Sequence, residues 1–589
     1  MTNKQRTWGQ FATPTDVADL ILGFCLRRPE NRLLDPSCGD GALLKRAAQW
    51  QSWLAADGMG LAPDTLYGVE LDAESAGGGE IPGVTLIRSN FFALDPAVFP
   101  AFDAVVGNPP YTRAEWIGRL DSDAEAQLPL FSEVERPVQV DGHQPLLPHH
   151  LRVALSRRAG LYTHFFLHGF HFLREGGRLG FVVPNGWLDV AYGRELKQFL
   201  LDHFRILAVI ESTVERWFGK TGVNTCIIIL ERTGDPEARA ANRVRFASLH
   251  QPLRHLLDAD ADDSRRPAAV EQFISRLLPP ADRRTGSLSV RVYGQGTLEP
   301  AARWGMLRRA PEIHRQSAHN LGPLNRWAKV QRGYTTGAND YFYLDQTRLD
   351  DWVIEPEYHR PLLKSLRGVH SLRLDRSACT SECLTIPLEA RLNGTGAAAY
   401  LAWGIEQGIH RRRTCAGRQP WYALGKQPPA PIFLAKGVWQ RHFAPLAAEP
   451  ITVDQQIYRL FLTPGIDPEV AAALLNSAWF ALQCEMSGRV NLGEGVLWLA
   501  TYELGEVELP NPRSLDSGLA TRLVQAFRQL AERPVVETIA DLNRLDRWSL
   551  DELVFDWIGL VPAERETVRQ ALIECLTVRR ERAMSGSLE

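Results

Sequence analysis

The chain has 589 residues, which is too long for one ordinary hydrophobic core and predicts two or three domains. Its hydrophobic content of 45% is typical of a soluble globular protein, and no apolar run approaches the roughly 20 residues that span a membrane. The formal net charge of −3 excludes a uniformly cationic nucleic-acid binder, so a phosphate-binding surface would need local segregation of charge. No signal-peptide pattern follows Met1, and we expect a cytoplasmic protein.

The eight cysteines are scattered along the chain and predict no disulfide framework. Cys379, Cys383, Cys415 and His410 could be imagined as metal ligands, but they lack the paired short spacings of a structural zinc site. We therefore expect no metal.

The first 92 residues predict a helix and three strands with polar groups at the strand ends. Thr13 precedes Pro14 at the start of a helix, and a strand then ends at Asp35 in a loop that contains Gly39 and Gly41. Amides at the following helix start favour an anionic group such as a carboxylate. Glu70 ends the second strand, where an acid can accept hydrogen bonds from both ribose hydroxyls of a nucleoside. The third strand is followed by Asn90.

The fourth strand, within residues 104–111, ends abruptly in Asn108, Pro109, Pro110 and Tyr111. Two prolines remove two backbone donors, so the chain must leave the sheet here as a rigid turn. The turn presents an amide side chain, free carbonyl oxygens and an aromatic ring at the mouth of a parallel sheet. That collection of groups suits a planar amine.

Helix–strand alternation resumes after residues 117–160, which we interpret as a long excursion over the site. It continues to residue 230 and includes a glycine-containing loop that carries Phe218. If the Asn108 oxygen and the Pro109 carbonyl accept the two N–H bonds of an aromatic amine, its nitrogen can aim a lone pair at an electrophile. Tyr111 and Phe218 would then stack on an extruded base.

The second half of the chain favours a large binding surface. Residues 333–340 form a turn-rich loop with many hydrogen-bonding groups, and Arg411, Arg412, Arg413 and Lys436 are candidate phosphate contacts. A solvated surface remains the alternative for the three-arginine run.

The motifs within residues 11–14, 35–41, 68–72, 108–111 and 218–223 resemble, in order, those of the gamma-group (TaqI-like) N6-adenine DNA methyltransferases of restriction–modification systems. The likeness covers nearly all of residues 9–232, and residues 332–340 and the region of Lys436 resemble the target-recognition domain of that group.

The resemblance implies S-adenosyl-L-methionine as methyl donor and a flipped adenine of double-stranded DNA as substrate. It also implies a cognate restriction endonuclease or other defence-system proteins as partners. The implied cofactor contacts are Thr13, Asp35, Gly39, Gly41, Glu70 and Asn90; the implied catalytic residues are Asn108, Pro109, Tyr111 and Phe218; the implied DNA contacts are Arg332, Thr335, Asn339, Arg411, Arg412, Arg413 and Lys436. Asn90 stands where the group usually has Asp, so we expect weakened cofactor binding.

The predicted fold is α/β: a Rossmann-like S-adenosylmethionine-dependent methyltransferase sheet, a C-terminal α+β target-recognition domain and a helical tail. We expect a catalytic domain over residues 1–245, a linker or insertion over 246–300, the recognition domain over 301–512 and helices over 513–589.

Three alternatives remain open. The Asn-Pro-Pro-Tyr tetrapeptide also occurs in enzymes that methylate protein glutamine or RNA. A bifunctional restriction–modification enzyme is disfavoured because only a few residues precede Phe11, where such chains usually carry a nuclease. A DNA-recognition subunit without catalysis is disfavoured by the intact Gly39, Gly41, Glu70 and Asn108.

Overall fold

The computed structural model describes residues 11–55, 64–71, 83–112, 147–156, 159–218, 223–258, 263–309, 321–491 and 495–585. The chain divides into two compact units, the first formed by residues 1–308 with 584–589 and the second by residues 309–583. Within the described ranges, no helix is long and apolar enough to cross a membrane. Residues 117–146 of the predicted excursion lie outside the described residues.

Ten strands of the first unit form one sheet in the order β3-β2-β1-β4-β5-β7-β6-β8-β10-β9. Their bounds are β1 Leu33–Asp35, β2 Leu66–Glu70, β3 Val84–Arg88, β4 Phe102–Gly107, β5 Leu173–Pro184, β6 Phe204–Ser212, β7 Thr225–Arg232, β8 Arg243–Leu249, β9 Arg283–Arg284 and β10 Leu288–Gly294.

Strands β1 to β5 are mutually parallel where they pair, whereas β7 runs antiparallel to both β5 and β6. Leu33 lies between Leu66 of β2 and Ala104 of β4, so the chain order reverses at β1. Ligands of open α/β sheets bind at the carboxyl ends of strands beside such a reversal. The ends of β1, β2, β3 and β4 therefore meet at the edge where the sequence predicts the site.

Helices cover both faces of this sheet, and each face has its own apolar core. Helix α1 begins after Pro14, whose φ of −58° suits a helix start, and it buries Val17, Leu20, Ile21 and Phe24 as its spacing predicts. The helices of the first unit are α1 Thr15–Cys25, α2 Ala42–Leu54, α3 His149–Ala154, α4 Leu161–Phe172, α5 Arg194–His203, α6 Pro236–Ala241, α7 Leu253–Leu256, α8 Arg266–Leu277 and α9 Trp304–Arg309.

The predicted linker over residues 246–300 is wrong for most of its length. Strand β8 pairs with β6 and β10 pairs with β8, so both extend the main sheet. Helix α8 packs against α1 through buried Val270 and Phe273. The acidic run at residues 258–263 and the proline- and arginine-rich stretch at 279–284 favoured a linker, although β8 and β10 themselves alternate polar and apolar residues.

The second unit is α+β and contains several small sheets, of which the largest has the order β12-β21-β17-β19-β15. Its strands are β11 Leu321–Pro323, β12 Ala328–Arg332, β13 Tyr343–Leu344, β14 His359–Leu363, β15 Arg373–Leu374, β16 Ser381–Leu384, β17 Ile432–Ala435, β18 Gly437–Val438, β19 Leu446–Ala447, β20 Thr452–Val453, β21 Ile457–Leu462, β22 Arg489–Asn491, β23 Val496–Trp498 and β24 Glu508–Pro510.

The helices of the second unit become long towards its end, as the sequence predicts. They are α10 Asn339–Phe342, α11 Gln346–Trp352, α12 Gly396–Glu406, α13 Arg413–Ala416, α14 Pro468–Leu475, α15 Ala478–Ser487, α16 Thr501–Gly505, α17 Ser517–Ala531, α18 Thr538–Asp541, α19 Leu545–Ile558 and α20 Pro562–Ser585. The predicted fold class, a Rossmann-like sheet followed by an α+β region with a helical tail, is confirmed.

Candidate active site

The loop between β1 and α2 closes over the end of β2. The Gly39 amide donates to Glu70 Oε2 at 2.9 Å, and Glu70 is only 4% exposed. Gly39 and Gly41 have φ of +55° and +74°, a conformation that favours glycine. A Cβ at Gly39 would meet no atom within 4 Å, so the backbone lines open space. A ligand can approach this loop closely.

Asp35 is a buried carboxyl at the end of β1. Burial raises its pKa to about 7; the Ser37 amide, which donates to Oδ1 at 3.1 Å, opposes the rise, and the charge of Glu70 adds to it. A Cβ at Gly107 would lie 3.0 Å from Asp35 Oδ1, so glycine allows the ends of β1 and β4 to approach. A cation bound beside Asp35 would favour its ionised form.

Thr13 and Asn90 flank the same strand ends. Thr13 is half-buried and lies directly before Pro14, the residue that precedes α1. Asn90 caps the short 3-10 helix Phe91–Ala93, since its Oδ1 accepts from the Phe92 amide at 3.1 Å. The Asn90 side-chain oxygen therefore already accepts one hydrogen bond, and the roles of Thr13 and Asn90 in cofactor binding stay predictions.

Asn108 follows β4 directly and has an asymmetrically bonded amide. Its Nδ2 donates to the Phe11 carbonyl at 2.8 Å, whereas its Oδ1 is buried without a hydrogen-bond partner among the described residues. Buried polar atoms without partners are uncommon in folded proteins and cost free energy. The bond from Nδ2 thus holds the Asn108 amide in one orientation, in which Oδ1 can accept a hydrogen bond from a ligand.

Three aromatic rings surround this turn. The Tyr111 and Phe218 rings are 5.8 Å apart and nearly perpendicular at 89°, and the Phe11 ring lies 6.1 Å from Tyr111. The Tyr111 hydroxyl donates to the Val182 carbonyl at 3.3 Å, and burial raises the pKa of Tyr111 well above its ordinary value. The perpendicular rings leave no parallel slot between Tyr111 and Phe218, so a planar base could enter between them only if they separate.

The second unit brings the loop at residues 333–340 against the three-arginine run. Arg412 pairs with Asp340, its Nη2 donating to Oδ2 at 2.8 Å and its Nη1 to Oδ1. Arg411 and Arg413 are exposed and form no ion pair within the described part of the chain. Of the three predicted phosphate contacts, Arg412 is therefore already engaged by a carboxylate.

Internal hydrogen bonds hold the loop itself. Arg418 Nη2 donates to the carbonyls of Thr335 and Thr336, at 2.5 and 2.8 Å. Asn339 accepts from the Thr336 hydroxyl and donates to Asp454 Oδ2 at 3.4 Å. Asn339 thus stabilises the loop, a role that the sequence did not predict. A contact of Asn339 with DNA would be additional to these internal hydrogen bonds.

Arg332 and Lys436 lie at neighbouring strand ends in the second unit. Both β12 and β17 pair antiparallel with β21, so Arg332, which ends β12, and Lys436, which follows β17, stand on either side of the start of β21. The Lys436 ammonium lies 5.4 Å from the Trp498 ring centroid. Their roles in DNA contact stay predictions.

Sequence reasoning missed a polar cluster at the ends of β5 and β6, formed by Asn185, Glu211 and Arg308. Asn185 Nδ2 donates to Glu211 Oε2 at 2.8 Å, and Arg308 Nη2 pairs with the same oxygen at 3.2 Å. Arg308 Nη1 also donates to the Ser248 hydroxyl at 3.1 Å. The available signal was the Pro184-Asn185 ending of β5, which places an asparagine after an apolar strand as Asn108 follows β4.

Two family models match the chain. The Eco57I restriction-modification methylase model matches residues 86–218, which include the turn at Asn108. The model of the C-terminal domain of the type II methyltransferase M.Eco57I matches residues 312–543.

Two proteins described as type II methyltransferases align with this chain over part of their own length. The type II methyltransferase M.AccI of Acinetobacter calcoaceticus is 23% identical over 57% of this chain and 54% of that protein. M.XamI of Xanthomonas campestris pv. amaranthicola is 25% identical over 68% of this chain and 66% of that protein. The chain thus spans between about half and two thirds of these relatives.

A solved structure supports the fold. The type IIL restriction-modification enzyme MmeI, solved in complex with DNA, superposes with a TM-score of 0.54 at 12% identity, over 96% of this chain and 75% of that chain. Over these stretches, the chain is similar to methyltransferases of restriction–modification systems.

Proposed function

We propose that the protein transfers a methyl group from S-adenosyl-L-methionine to N6 of an adenine flipped out of double-stranded DNA, at a specific sequence. The observation that carries the proposal is the Asn108 amide. Its Nδ2 donates to the Phe11 carbonyl, and its buried Oδ1 has no hydrogen-bond partner among the described residues. An exocyclic amine is the donor that fits an acceptor beside aromatic rings.

The residues at the ends of β1 and β2 fit the cofactor. The open backbone at Gly39 would admit its nucleoside, and the buried Glu70 carboxylate would accept from its ribose hydroxyls. Asp35 would lie beside its positive charge, which would favour the ionised carboxylate. When bound, S-adenosyl-L-methionine supplies an electrophilic methyl group on a sulfonium.

At the adenine, the chain positions the amine and supplies acceptors rather than a strong base. Asn108 Oδ1 and the Pro109 carbonyl accept its two N–H bonds, which lets the nitrogen rehybridise and direct its lone pair out of the ring plane. Tyr111 and Phe218 would hold the adenine ring by stacking once the two side chains separate to admit it. Methyl transfer would form the bond between N6 and the methyl carbon as the methyl–sulfur bond breaks. S-adenosyl-L-homocysteine would leave as a neutral thioether, and the methylated amine would release one N6 proton to solvent.

DNA fits the second unit better than a small or protein substrate does. Arg411 and Arg413 are exposed next to the loop at residues 333–340, so two guanidinium groups are available to phosphates. We further propose that the protein works in the cytoplasm, with a cognate restriction endonuclease or other defence-system proteins as partners.

The test is methyl transfer from labelled S-adenosyl-L-methionine to duplex DNA, RNA and a glutamine-containing protein substrate in parallel. We expect label in duplex DNA only, and Asn108→Ala should abolish transfer while DNA binding is retained. Asn325→Ala is the control and should keep activity, because Asn325 is an exposed asparagine of the second unit whose side chain, among the described residues, bonds only the exposed Glu506. Label in protein or RNA with unlabelled DNA would overturn the proposal.

A further inference from the structure

Asp340 and Arg412 form an exposed, two-point ion pair on the surface of the second unit. The Asp340 side chain is 64% exposed and that of Arg412 is 41% exposed. The guanidinium holds the pKa of Asp340 below its ordinary value, so the carboxylate is charged at neutral pH. The Arg412 guanidinium therefore binds the Asp340 carboxylate through two nitrogens, the same geometry with which arginine binds a phosphate.

The surroundings of the pair make this contact specific rather than incidental. A Cβ at Gly337 would lie 2.3 Å from Thr414 Cβ, so the loop and the start of α13 touch directly. The Cys415 thiol lies 3.6 Å from the Thr336 carbonyl, and Arg418 bonds the same carbonyl. These contacts hold the residues just before Asp340 against the residues just after Arg412.

Arg412 lies between two arginines that lack ion pairs within the described residues. A carboxylate in the middle of a cationic strip weakens its attraction for any polyanion, because like charges repel and one cation is neutralised. Exposed ion pairs contribute little to stability, so Arg412 can change partner at small cost. A DNA phosphodiester carries one negative charge, as a carboxylate does, and offers two oxygens to the same guanidinium fork, so it is a suitable competitor.

We infer that Asp340 occupies Arg412 in place of a DNA phosphate, and that Arg412 moves from Asp340 to the phosphodiester backbone when duplex DNA binds. Asp340 thereby lowers affinity for DNA of arbitrary sequence, which makes it a specificity-determining residue. The inference rests on the proposed function, because it takes duplex DNA as the ligand.

The test measures the affinity of the full chain for a fluorescent duplex oligonucleotide of arbitrary sequence, by anisotropy at several salt concentrations. Asp340→Asn should bind about two- to fivefold more tightly than the wild-type chain, the gain expected when an exposed ion pair no longer competes. Asp351→Asn removes the same charge from an exposed position on the neighbouring helix α11 and should change affinity less.

A double-mutant cycle with Arg412→Gln separates exchange from simple repulsion. Arg412→Gln should weaken binding and reduce the slope of log Kd against log salt by about one. In that background Asp340→Asn should give no further gain. A gain that persists without Arg412, or an Asp340→Asn chain that behaves like Asp351→Asn, overturns the exchange while leaving DNA methylation intact. A wild-type chain that binds no duplex DNA overturns both this inference and the proposed function.

Discussion

Asn108 donates through Nδ2 to the Phe11 carbonyl at 2.8 Å, a contact between residues 97 positions apart in the sequence. The bond fixes which side of the amide carries the acceptor, because a flip would place Oδ1 against another carbonyl oxygen. The stretch before α1 therefore orients the turn after β4. In the proposed reaction, this contact presents Oδ1 to the incoming amine before the substrate arrives.

Replacing Phe218 with Ala should weaken the proposed hold on the flipped base. Stacking between a base and an aromatic ring contributes about 1–3 kcal/mol, so methyl transfer at limiting DNA should fall about 5- to 150-fold. The fluorescence of a base analogue at the target position is quenched in the stacked duplex and rises when the base leaves the stack, so the rise should be smaller if flipping is lost. Phe218→Tyr keeps the ring and should retain most of the rate; an Ala variant with unchanged rate and fluorescence would contradict the role.

Replacing Asp35 with Asn should make stability less dependent on pH. The folded-state pKa of about 7 lies above the ordinary value of 3.8, so the folded state keeps a proton that the unfolded state loses, and stability falls as pH rises between these values. Above pH 7 the variant should gain up to about 4 kcal/mol over the wild-type chain, and little below pH 4.

Urea unfolding of both chains across this pH range measures the Asp35 effect. Asp40→Asn changes the exposed neighbouring carboxylate and serves as control. A wild-type and Asp35→Asn difference that stays constant with pH would contradict the assigned environment.

Replacing Asp19 with Ala should destabilise the first unit by about 3–5 kcal/mol, the cost of leaving buried charges unpaired. Asp19 is fully buried and accepts from Arg46, from the Trp50 indole at 2.8 Å and from Arg266 Nε at 2.7 Å. Because Arg266 begins α8, the loss should also increase hydrogen exchange in that helix. Asp202→Ala, at an exposed site, should cost little; equal effects would argue against the network.

Replacing Val353 with Gly should stabilise the second unit. Val353 is 74% exposed and ends α11 with φ of +52°, a left-handed conformation that costs a β-branched residue about 1–2 kcal/mol. Glycine has more conformational entropy in the unfolded chain, which offsets part of the relieved strain. The free energy of unfolding should therefore increase by about 0.5–1 kcal/mol. Val98→Gly is the control, because Val98 is an exposed valine without positive φ, and this variant should be less stable than the wild-type chain. A Val353→Gly variant that is also less stable would contradict backbone strain at Val353.

The strand ends of the first unit were predictable because each is a local signal. An apolar run followed by Gly39, Glu70 or Asn108 reveals both a strand and the group it delivers, and parallel pairing then brings those groups to one edge. Strands β8 and β10 were missed although both alternate polar and apolar residues, because the acidic and proline-rich stretches between them favoured a linker. Their pairing, β8 with β6 and β10 with β8, makes them part of the sheet.

Contacts between distant side chains could not be predicted from the sequence. Nothing local in the three-arginine run shows that Arg412 pairs with Asp340, 72 positions earlier. Likewise, Asn339 looks like a surface polar residue until Thr336 and Asp454 are placed beside it. The sequence indicates which groups are available, whereas tertiary packing decides which of them are already engaged.

The central claim concerns the atom that receives the methyl group. The most direct measurement incubates the protein with duplex DNA and S-adenosyl-L-methionine, digests the DNA to nucleosides and separates them by mass spectrometry. The account predicts N6-methyldeoxyadenosine, formed by the wild-type chain and absent with Asn108→Ala. A methylated cytosine as the product, or N6-methyldeoxyadenosine formed equally by Asn108→Ala, would contradict it.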